Sequence, residues 1–378
     1  MSKLRNIFKW SSGALATVAS TLLSLLLVIS SLSGYVDPST VPLAGVAVML
    51  LPVLTPVAIV LFVADAMWWR RATLILGIGL AVAMPSIVEV FPVGTGAFVE
   101  TSRPGPAPCE FVLMSYNCAG FMDVSGEYPE GRNPAIKLIL DEDADVVALQ
   151  ETYELGALSG FKVRSSDVDS LHMRYPYIIE DTRHRMTLLS KYPARLLEIA
   201  PRYEGTVPDE ISAFALTVGG REMTLFSVHL RSIGLTTKDK ELYGDITRLE
   251  GNDEGSRKMI GEVHRNLISK VAQAAASRSA QIRRLEDDIR RLGAHNIIVC
   301  GDFNDVPGCY AINSLNSLGL REVFPAVGQG YMATFNRDRL YFTIDHVLWR
   351  GDLHPLTMWR LKTYSSDHFP LFTHFRLD

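Results

Sequence analysis

The stretch IIVCGDFNDVP, residues 297–307, joins a strand pattern to a cluster of polar side chains. Its first residues are apolar and β-branched, and the Gly and polar residues that follow predict a buried strand that ends in a loop at an open rim. Asp302 and Asn304 are two residues apart, so on an extended segment their side chains point to the same side. A carboxylate beside a carboxamide suits a hard cation or a phosphate, although an Asx turn that closes a strand would use the same residues.

Three other predicted strands also end next to a residue that can bind a metal or a phosphate. They are the strands 111–116, 145–150 and 223–228, which precede Asn117, Glu151 and His229. Ligand sites in layered α/β folds gather at the ends of strands. The repetition therefore favours one shared site over unrelated turns.

Two Asp-His pairs follow near the C-terminus. Asp345-His346 interrupts the apolar run 340–349, and Asp367-His368 lies in the segment SSDHFP. A single Asp-His pair in a loop usually forms a satisfied hydrogen bond without a role in catalysis. Together with the polar strand ends, the two pairs favour a catalytic site built from imidazole and carboxylate groups.

The first third of the chain contains three apolar segments, residues 12–33, 42–64 and 73–92. Each approaches the ~20 residues that a helix needs to cross a bilayer, so residues 1–92 are predicted to form three transmembrane helices. Prolines inside the segments would break soluble helices but are tolerated in membrane bundles. A cleaved signal peptide is an alternative for the first segment, because basic residues precede it, but the segment is long and two more follow it.

Basic residues predict the orientation of these helices. The lysines and the arginine that precede the first segment, and Arg70-Arg71 between the second and third, mark the cytoplasmic side. The N-terminus is then cytoplasmic, and three spans place everything after Pro92 outside the cytoplasm. Residues 93–108 have the Gly- and Pro-rich composition of a linker, and residues 109–378 form the predicted catalytic domain. Because ~16 extended residues reach only about 55 Å, this domain would act close to the membrane.

Composition limits the partners of the predicted catalytic domain. The chain has a formal net charge of −4, whereas residues 1–92 contain more basic than acidic residues, so the remainder is acidic. Loose tracking along nucleic acid needs a basic footprint, which this balance argues against. All four cysteines belong to the predicted external part, where disulfides can form, but their spacing matches no zinc site. Cys118 and Cys300 lie in predicted strands, so buried free thiols are an alternative to a disulfide.

Six short motifs resemble, in the same order, those of the endonuclease/exonuclease/phosphatase superfamily of deoxyribonuclease-I-like enzymes. They are Ser115-Tyr116-Asn117, Leu149-Gln150-Glu151, Val228-His229-Leu230, Gly301-Asp302-Phe303-Asn304, Ile344-Asp345-His346-Val347-Leu348 and Ser366-Asp367-His368-Phe369-Pro370. The segment 278–281, Arg-Ser-Ala-Gln, also resembles the helix that precedes the Gly-Asp-x-Asn strand in that family. The resemblance covers about residues 110–378, and six ordered motifs are far more specific than any one of them.

The resemblance implies an α/β fold, a four-layer sandwich in which two β-sheets pack face to face and helices flank them. The three-helix transmembrane region would precede this sandwich. The resemblance also implies a hydrolase that cleaves a phosphodiester or phosphomonoester with a divalent metal, Mg²⁺ or Mn²⁺. The expected partners are the lipid bilayer and a phosphate-ester substrate, which could be a nucleic acid, a phospholipid or a small phosphodiester.

The resemblance assigns the metal to three residues. Glu151 would be the main ligand, with Asn117 and Asp367 beside it. This assignment agrees with the chemistry of Mg²⁺, which prefers oxygen ligands and is commonly held by one or two carboxylates together with the phosphate of the substrate.

The resemblance assigns the remaining polar residues to catalysis. His368, oriented by Asp345, and His229 would flank the scissile phosphate. Asp302 would orient or deprotonate the attacking water, and Asn304 would donate a hydrogen bond to the developing oxyanion.

Two features of the sequence depart from the family pattern. His346 stands where many members carry Tyr, and residues 233–256 match no family segment. Substrate choice in this family depends on such loops, so the resemblance implies the chemistry and leaves the substrate open. A non-catalytic binding module and a membrane scaffold stay open as other classes of function, although the acidic ligands show no gaps and the spans contain few ionisable residues.

Overall fold

The computed structural model describes residues 2–94, 109–121, 132–155, 163–199, 210–234, 254–337 and 340–378. The chain divides into two compact units. The first unit comprises residues 1–92, 234–279 and 307–313, and the second comprises residues 93–233, 280–306 and 314–378. Most of the predicted linker and of the unmatched segment 233–256 lies outside the described residues.

The N-terminal part of the first unit is helical. Its helices are α1 (Ser2–Ser33), α2 (Leu43–Val48), α3 (Leu51–Trp68) and α4 (Arg70–Val90). Three stretches are apolar and long enough to cross a membrane: Ser12–Ser33, Leu51–Trp68 and Arg70–Val90. These helices support a membrane association, as the sequence predicts.

The second span differs from the predicted range of residues 42–64. The chain forms the short helix α2, makes a turn at Met49 and Leu50, and begins the longer helix α3 at Leu51. Pro52 lies in the first turn of α3. Because proline has no backbone N–H, it is favoured at the start of a helix and cannot extend the hydrogen bonding of α2.

Small and polar residues allow the membrane-length helices to pack closely. Ser20 on α1 donates a hydrogen bond of 2.5 Å to the buried carboxylate of Asp65 on α3. A Cβ atom at Gly79 of α4 would lie 2.1 Å from Oγ of Ser24 on α1, so only glycine permits this approach. Close contacts at small residues and hydrogen bonds between helices are typical of packing in membranes.

The second unit is built from strands that follow the predicted pattern in most places. The strands are β1 (Cys109–Asn117), β2 (Val146–Gln150), β3 (Tyr177–Asp181), β4 (Met186–Ser190), β5 (Ala194–Leu197), β6 (Glu210–Val218), β7 (Arg221–His229), β8 (Ile297–Asp302), β9 (Arg321–Glu322), β10 (Phe335–Arg337), β11 (Leu340–Phe342), β12 (Asp345–Arg350), β13 (Leu353–Arg360) and β14 (Leu371–Leu377). The other helices are α5 (Pro134–Glu142), α6 (Ser165–Arg174), α7 (Glu254–Leu292), α8 (Tyr310–Ser317) and α9 (Val323–Val327).

The strands form two mixed six-stranded sheets. Their orders are β13-β14-β1-β2-β4-β3 and β5-β6-β7-β8-β12-β9, and β10 and β11 form a separate two-stranded sheet. Leu113 of the first sheet and Leu225 of the second lie in the core between the sheets, whereas Met114 points to the opposite face and packs with Ile136 and Leu171 of α5 and α6. This alternation follows from the two-residue period of a strand. The predicted α/β sandwich of two packed sheets flanked by helices is confirmed.

Each sheet contains one parallel pair of strands at its centre, β1 with β2 and β7 with β8. In the first pair Asn117 lies beside Gln150, and in the second His229 lies beside Asp302. The antiparallel strand β12 begins with Asp345 opposite Asp302. The topology therefore brings the polar strand ends of each sheet together.

The four cysteines are free thiols. Cys118, Cys300 and Cys309 are buried, and Cys109 is partly exposed. Burial raises the pKa of the Cys300 thiol to about 12, so it is uncharged at neutral pH. The alternative of buried free thiols is the correct one.

Candidate active site

Strained loops follow the strand ends. Glu151, Arg185 and Asn304 have positive φ angles of 56°, 57° and 52°. A left-handed conformation costs a residue other than glycine about 1–2 kcal/mol. The backbone N–H of Thr152 donates to the carbonyl of Arg185 over 2.9 Å and fastens two of these loops to each other. Strain that the surrounding structure maintains in this way is concentrated at functional sites.

Asp302 lies at the centre of the polar cluster. Its Oδ2 accepts a hydrogen bond of 3.0 Å from Nδ2 of Asn117, and the backbone N–H of Asn304 donates to its Oδ1 over 2.8 Å. The same Oδ2 lies 3.5 Å from Nε2 of His368 and 3.7 Å from Nε2 of His229. Only 1% of Asp302 is exposed, so the rim that the sequence predicts to be open is closed over this carboxylate.

Burial raises the pKa of Asp302 above its usual range. His368 and His229 oppose the rise, whereas the negative charge of Asp345 adds to it. A carboxylate with a raised pKa binds a proton more readily than an exposed one.

Asp345 orients His368. The imidazole donates from Nδ1 to Oδ2 of Asp345 over 2.9 Å, which leaves Nε2 facing Asp302. Burial lowers the pKa of His368, but the carboxylates of Asp345 and Asp302 outweigh burial and raise it to about 10. Phe335 packs edge-on against the ring, with ring centroids 5.1 Å apart. His368 is therefore a fixed imidazolium at neutral pH.

Glu210 orients His229 in the same manner. Nδ1 of His229 donates to the carboxylate of Glu210, and Nε2 lies 3.4 Å from Oε1 of Glu151. Burial lowers the pKa of His229, but the hydrogen bond to Glu210 and the charges of Asp302 and Glu151 raise it above its ordinary value. Two imidazole groups thus point at Asp302, one from the end of β7 and one from the segment before β14.

The donor set fits a hard cation at Glu151. Glu151, His229 and Asp302 bring one ligand atom each within 4.8 Å of one another, and Asn117 donates to Oε1 of Glu151 over 3.0 Å. Carboxylate and amide oxygens are the ligands that Mg²⁺ and Mn²⁺ prefer. Asp302, Asp345 and His368 form a second group of the same size, in which the carboxylate of Asp345 is already paired with the imidazole of His368.

Asp367 does not join either group of ligand atoms in the described part of the chain. Its Oδ2 pairs with Nη1 of Arg337 at 3.0 Å, and its backbone carbonyl accepts a hydrogen bond from Asn336. Arg337 pairs with one of the two carboxylate oxygens of Asp367.

His346 faces away from the polar cluster. Successive side chains of a strand point to opposite faces, and Asp345 occupies the side of the cluster. Nδ1 of His346 lies 2.5 Å from Oε1 of Glu322, Nε2 lies 2.9 Å from the carbonyl of Asp305, and only 1% of the residue is exposed. His346 therefore contributes a buried hydrogen-bonded pair with Glu322, next to the backbone of Asp305.

Two regions of the chain match known protein families. Residues 114–368 match the endonuclease/exonuclease/phosphatase family. The chain belongs to this family. Its members are nucleases and phosphatases, which hydrolyse phosphate esters. Residues 13–90 match a second family, described as a domain of unknown function, and no curated protein matches the chain.

Two of the solved structures that are similar to the chain have low sequence identity to it. An endonuclease/exonuclease/phosphatase family protein from Bacteroides thetaiotaomicron is 17% identical, with a TM-score of 0.48, over 72% of this chain and 100% of that chain. The catalytic domain of human Nocturnin with a bound sulfate anion is 18% identical, with a TM-score of 0.46, over 71% of this chain and 94% of that chain.

The site of this family member includes residues that the sequence motifs do not predict. Glu210 orients His229, and Arg185 and Tyr153 lie beside Glu151. Ser366 donates to the carbonyl of Asn117 over 2.8 Å. Ser366 belongs to the motif Ser366-Asp367-His368-Phe369-Pro370, but its contact with the end of β1 depends on the fold.

Proposed function

We propose that the chain is a membrane-anchored phosphoesterase that uses Mg²⁺ or Mn²⁺ to hydrolyse a phosphodiester or phosphomonoester outside the cytoplasm. The observation that supports this most strongly is the convergence of two oriented imidazole groups on Asp302, next to Glu151. Such an arrangement can bind a phosphate, position a water and accept its proton within one small volume.

Glu151 would hold the divalent ion, with Asn117 and Asp367 beside it. When bound, the ion would neutralise charge on the phosphoryl oxygens. Asn117 already contacts both Glu151 and Asp302, so one amide fixes the spacing of the two carboxylates.

His229 and His368 would flank the scissile phosphate and donate from Nε2 to its oxygens. The pKa of each imidazole is raised, to about 10 for His368, because carboxylates lie beside both rings. Asp302 would orient or deprotonate the attacking water, and its raised pKa matches that role. Asn304 donates to the carbonyl of Leu230 over 3.0 Å and has a second amide N–H for the developing oxyanion.

The substrate is proposed only as a class. Nucleic acids, phospholipids and small phosphate esters all contain the required group, and the acidic balance of the catalytic part argues against duplex DNA as the best substrate. The short predicted linker favours a substrate that reaches the membrane surface.

The test uses the full chain in detergent with bis(p-nitrophenyl) phosphate, followed by single- and double-stranded DNA, RNA, sphingomyelin, phosphoinositides and nucleotides. We expect turnover with Mg²⁺ or Mn²⁺ and none after treatment with EDTA. Undiminished turnover after exhaustive chelation would refute the metal-dependent mechanism. A clear preference for duplex DNA with a steep salt dependence would refute the argument from charge.

A further inference from the structure

Arg185 occupies an unusual position in the turn between β3 and β4. Its φ angle of 57° is one that glycine adopts without strain and that a long side chain adopts only at a cost. The carbonyl of Arg185 accepts the N–H of Thr152, the residue after Glu151. The strained turn is therefore fastened directly to the loop that carries the proposed metal ligand.

The guanidinium of Arg185 lies between two carboxylates of the site. Nη1 is 3.3 Å from Oε1 of Glu210, and Nη2 is 3.6 Å from Oε2 of Glu151. Nε is buried and has no hydrogen-bond partner in the described part of the chain. The side chain is 31% exposed, so its charge is close to the site without being sealed inside it.

Tyr153 supports this guanidinium from one side. The centre of the guanidinium lies 5.1 Å from the centroid of the Tyr153 ring, within the range of a cation–π contact. Gly120 leaves room for the ring, because a Cβ atom at this position would lie only 3.0 Å from Cε2 of Tyr153. The ring and the turn thus hold the charge of Arg185 next to Glu151.

Both carboxylate oxygens of Glu151 already face donors. Oε1 accepts from Asn117 and lies near His229, whereas Oε2 faces Arg185. A cation that binds Glu151 shares its carboxylate with these partners. Arg185 is the partner with a permanent charge, the longest contact and exposure to solvent, and its charge repels a second cation.

We propose that Arg185 is a built-in counter-ion that competes with the divalent cation for Glu151. This inference rests on the proposed function, because it takes Glu151 as the metal ligand. Arg185 is a positioning residue in this account: it neutralises Glu151 while the metal site is empty and sets the metal concentration at which the site fills. A variant without the charge binds the metal more tightly.

The test measures the binding of Mn²⁺ alone to the full chain in detergent, by electron paramagnetic resonance of the free ion. The variant Arg185→Gly removes the charge and relieves the positive φ, so it is compatible with the fold, which a thermal melt verifies. We expect Arg185→Gly to bind Mn²⁺ about tenfold more tightly than the wild type, and Arg185→Lys to bind within about threefold of it.

The matched control is Arg174→Gln. Arg174 lies at the end of α6, is half exposed and pairs with Asp143, which follows α5. This control should bind Mn²⁺ like the wild type, so a general effect of net charge is excluded. Equal or weaker binding by Arg185→Gly would overturn the inference. The variant Glu151→Gln tests the proposed function separately: if it binds Mn²⁺ as well as the wild type does, the metal assignment itself fails.

Discussion

Glu210 lies directly opposite His229 in the hairpin of β6 and β7, and its carboxylate accepts the Nδ1–H of that imidazole. Asp345 has the same relationship to His368. Each carboxylate fixes the direction of one ring, so both Nε2 atoms face Asp302. The proposed reaction depends on these two pairs.

Replacing Glu210 should therefore impair catalysis more than stability. In Glu210→Gln the side chain keeps its size but loses the charge that holds the imidazolium of His229, and we expect kcat to fall roughly 10²-fold. Glu222→Gln, on the exposed side of the same hairpin, is the control and should retain full activity. Initial rates with bis(p-nitrophenyl) phosphate compare the two variants. Equal rates for Glu210→Gln and Glu222→Gln would contradict a role of Glu210 in orienting His229.

The pairing of Glu210 with His229 could have been predicted from a feature of the sequence that lies outside the six motifs. Gly219-Gly220 is typical of a two-residue hairpin loop, and both glycines have positive φ in the structure. Counting outward from this turn pairs Val218 with Arg221 and, at the end of the hairpin, Glu210 with His229. The orienting carboxylate was therefore predictable from turn chemistry.

Other features were not predictable from the sequence. The sandwich and the polar strand ends follow from local apolar patterns and from ordered motifs. The left-handed backbone of Arg185, in contrast, could not be predicted. A positive φ is expected at glycine, and the sequence has an arginine at this position. The pairing of Asp367 with Arg337 and the burial of Asp302 depend on contacts between distant segments, which local patterns do not encode.

His346 should matter for stability through its buried pair with Glu322. His346→Gln leaves the carboxylate of Glu322 without a charged partner, and a broken buried pair costs about 3–5 kcal/mol. The double variant His346→Gln with Glu322→Gln removes both charges and should be more stable than the single variant. Thermal melts of the three proteins measure this, and a double variant that melts below the single variant would argue against an ion pair.

Asp181 should make the stability of the chain depend on pH at the acidic end. Burial raises the pKa of Asp181, but hydrogen bonds from His184 and Ser212 outweigh burial and lower it below the ordinary value. A group whose pKa is lower in the folded state stabilises the fold above its unfolded pKa, and this contribution is lost as the pH falls through its folded pKa.

The variant Asp181→Asn tests this dependence. It should lose about 1–3 kcal/mol of stability at pH 7 and show a smaller decrease in melting temperature between pH 5 and pH 3 than the wild type. Asp141→Asn, on the exposed face of α5, should behave like the wild type. Parallel acid profiles for Asp181→Asn and the wild type would contradict the assignment.

The proposed orientation in the membrane rests on the basic residues beside the spans. A reporter that is active only outside the cytoplasm should work when it is fused after Pro108 and fail when it is fused after Arg71. The opposite pattern of reporter activity would place the catalytic part in the cytoplasm and refute the proposed topology.

The most direct measurement compares Asp302→Asn with the wild type in rate and in melting temperature on the same preparations. The substitution keeps the shape of the side chain and removes one of several clustered negative charges, so the melting temperature should change by only a few degrees. We expect kcat of Asp302→Asn to fall roughly 10²-fold or more, because the group that orients or deprotonates the water is lost. Asp352→Asn, in an exposed pair with His295, is the control and should keep full activity. A folded Asp302→Asn protein with full specific activity would contradict the central role of Asp302.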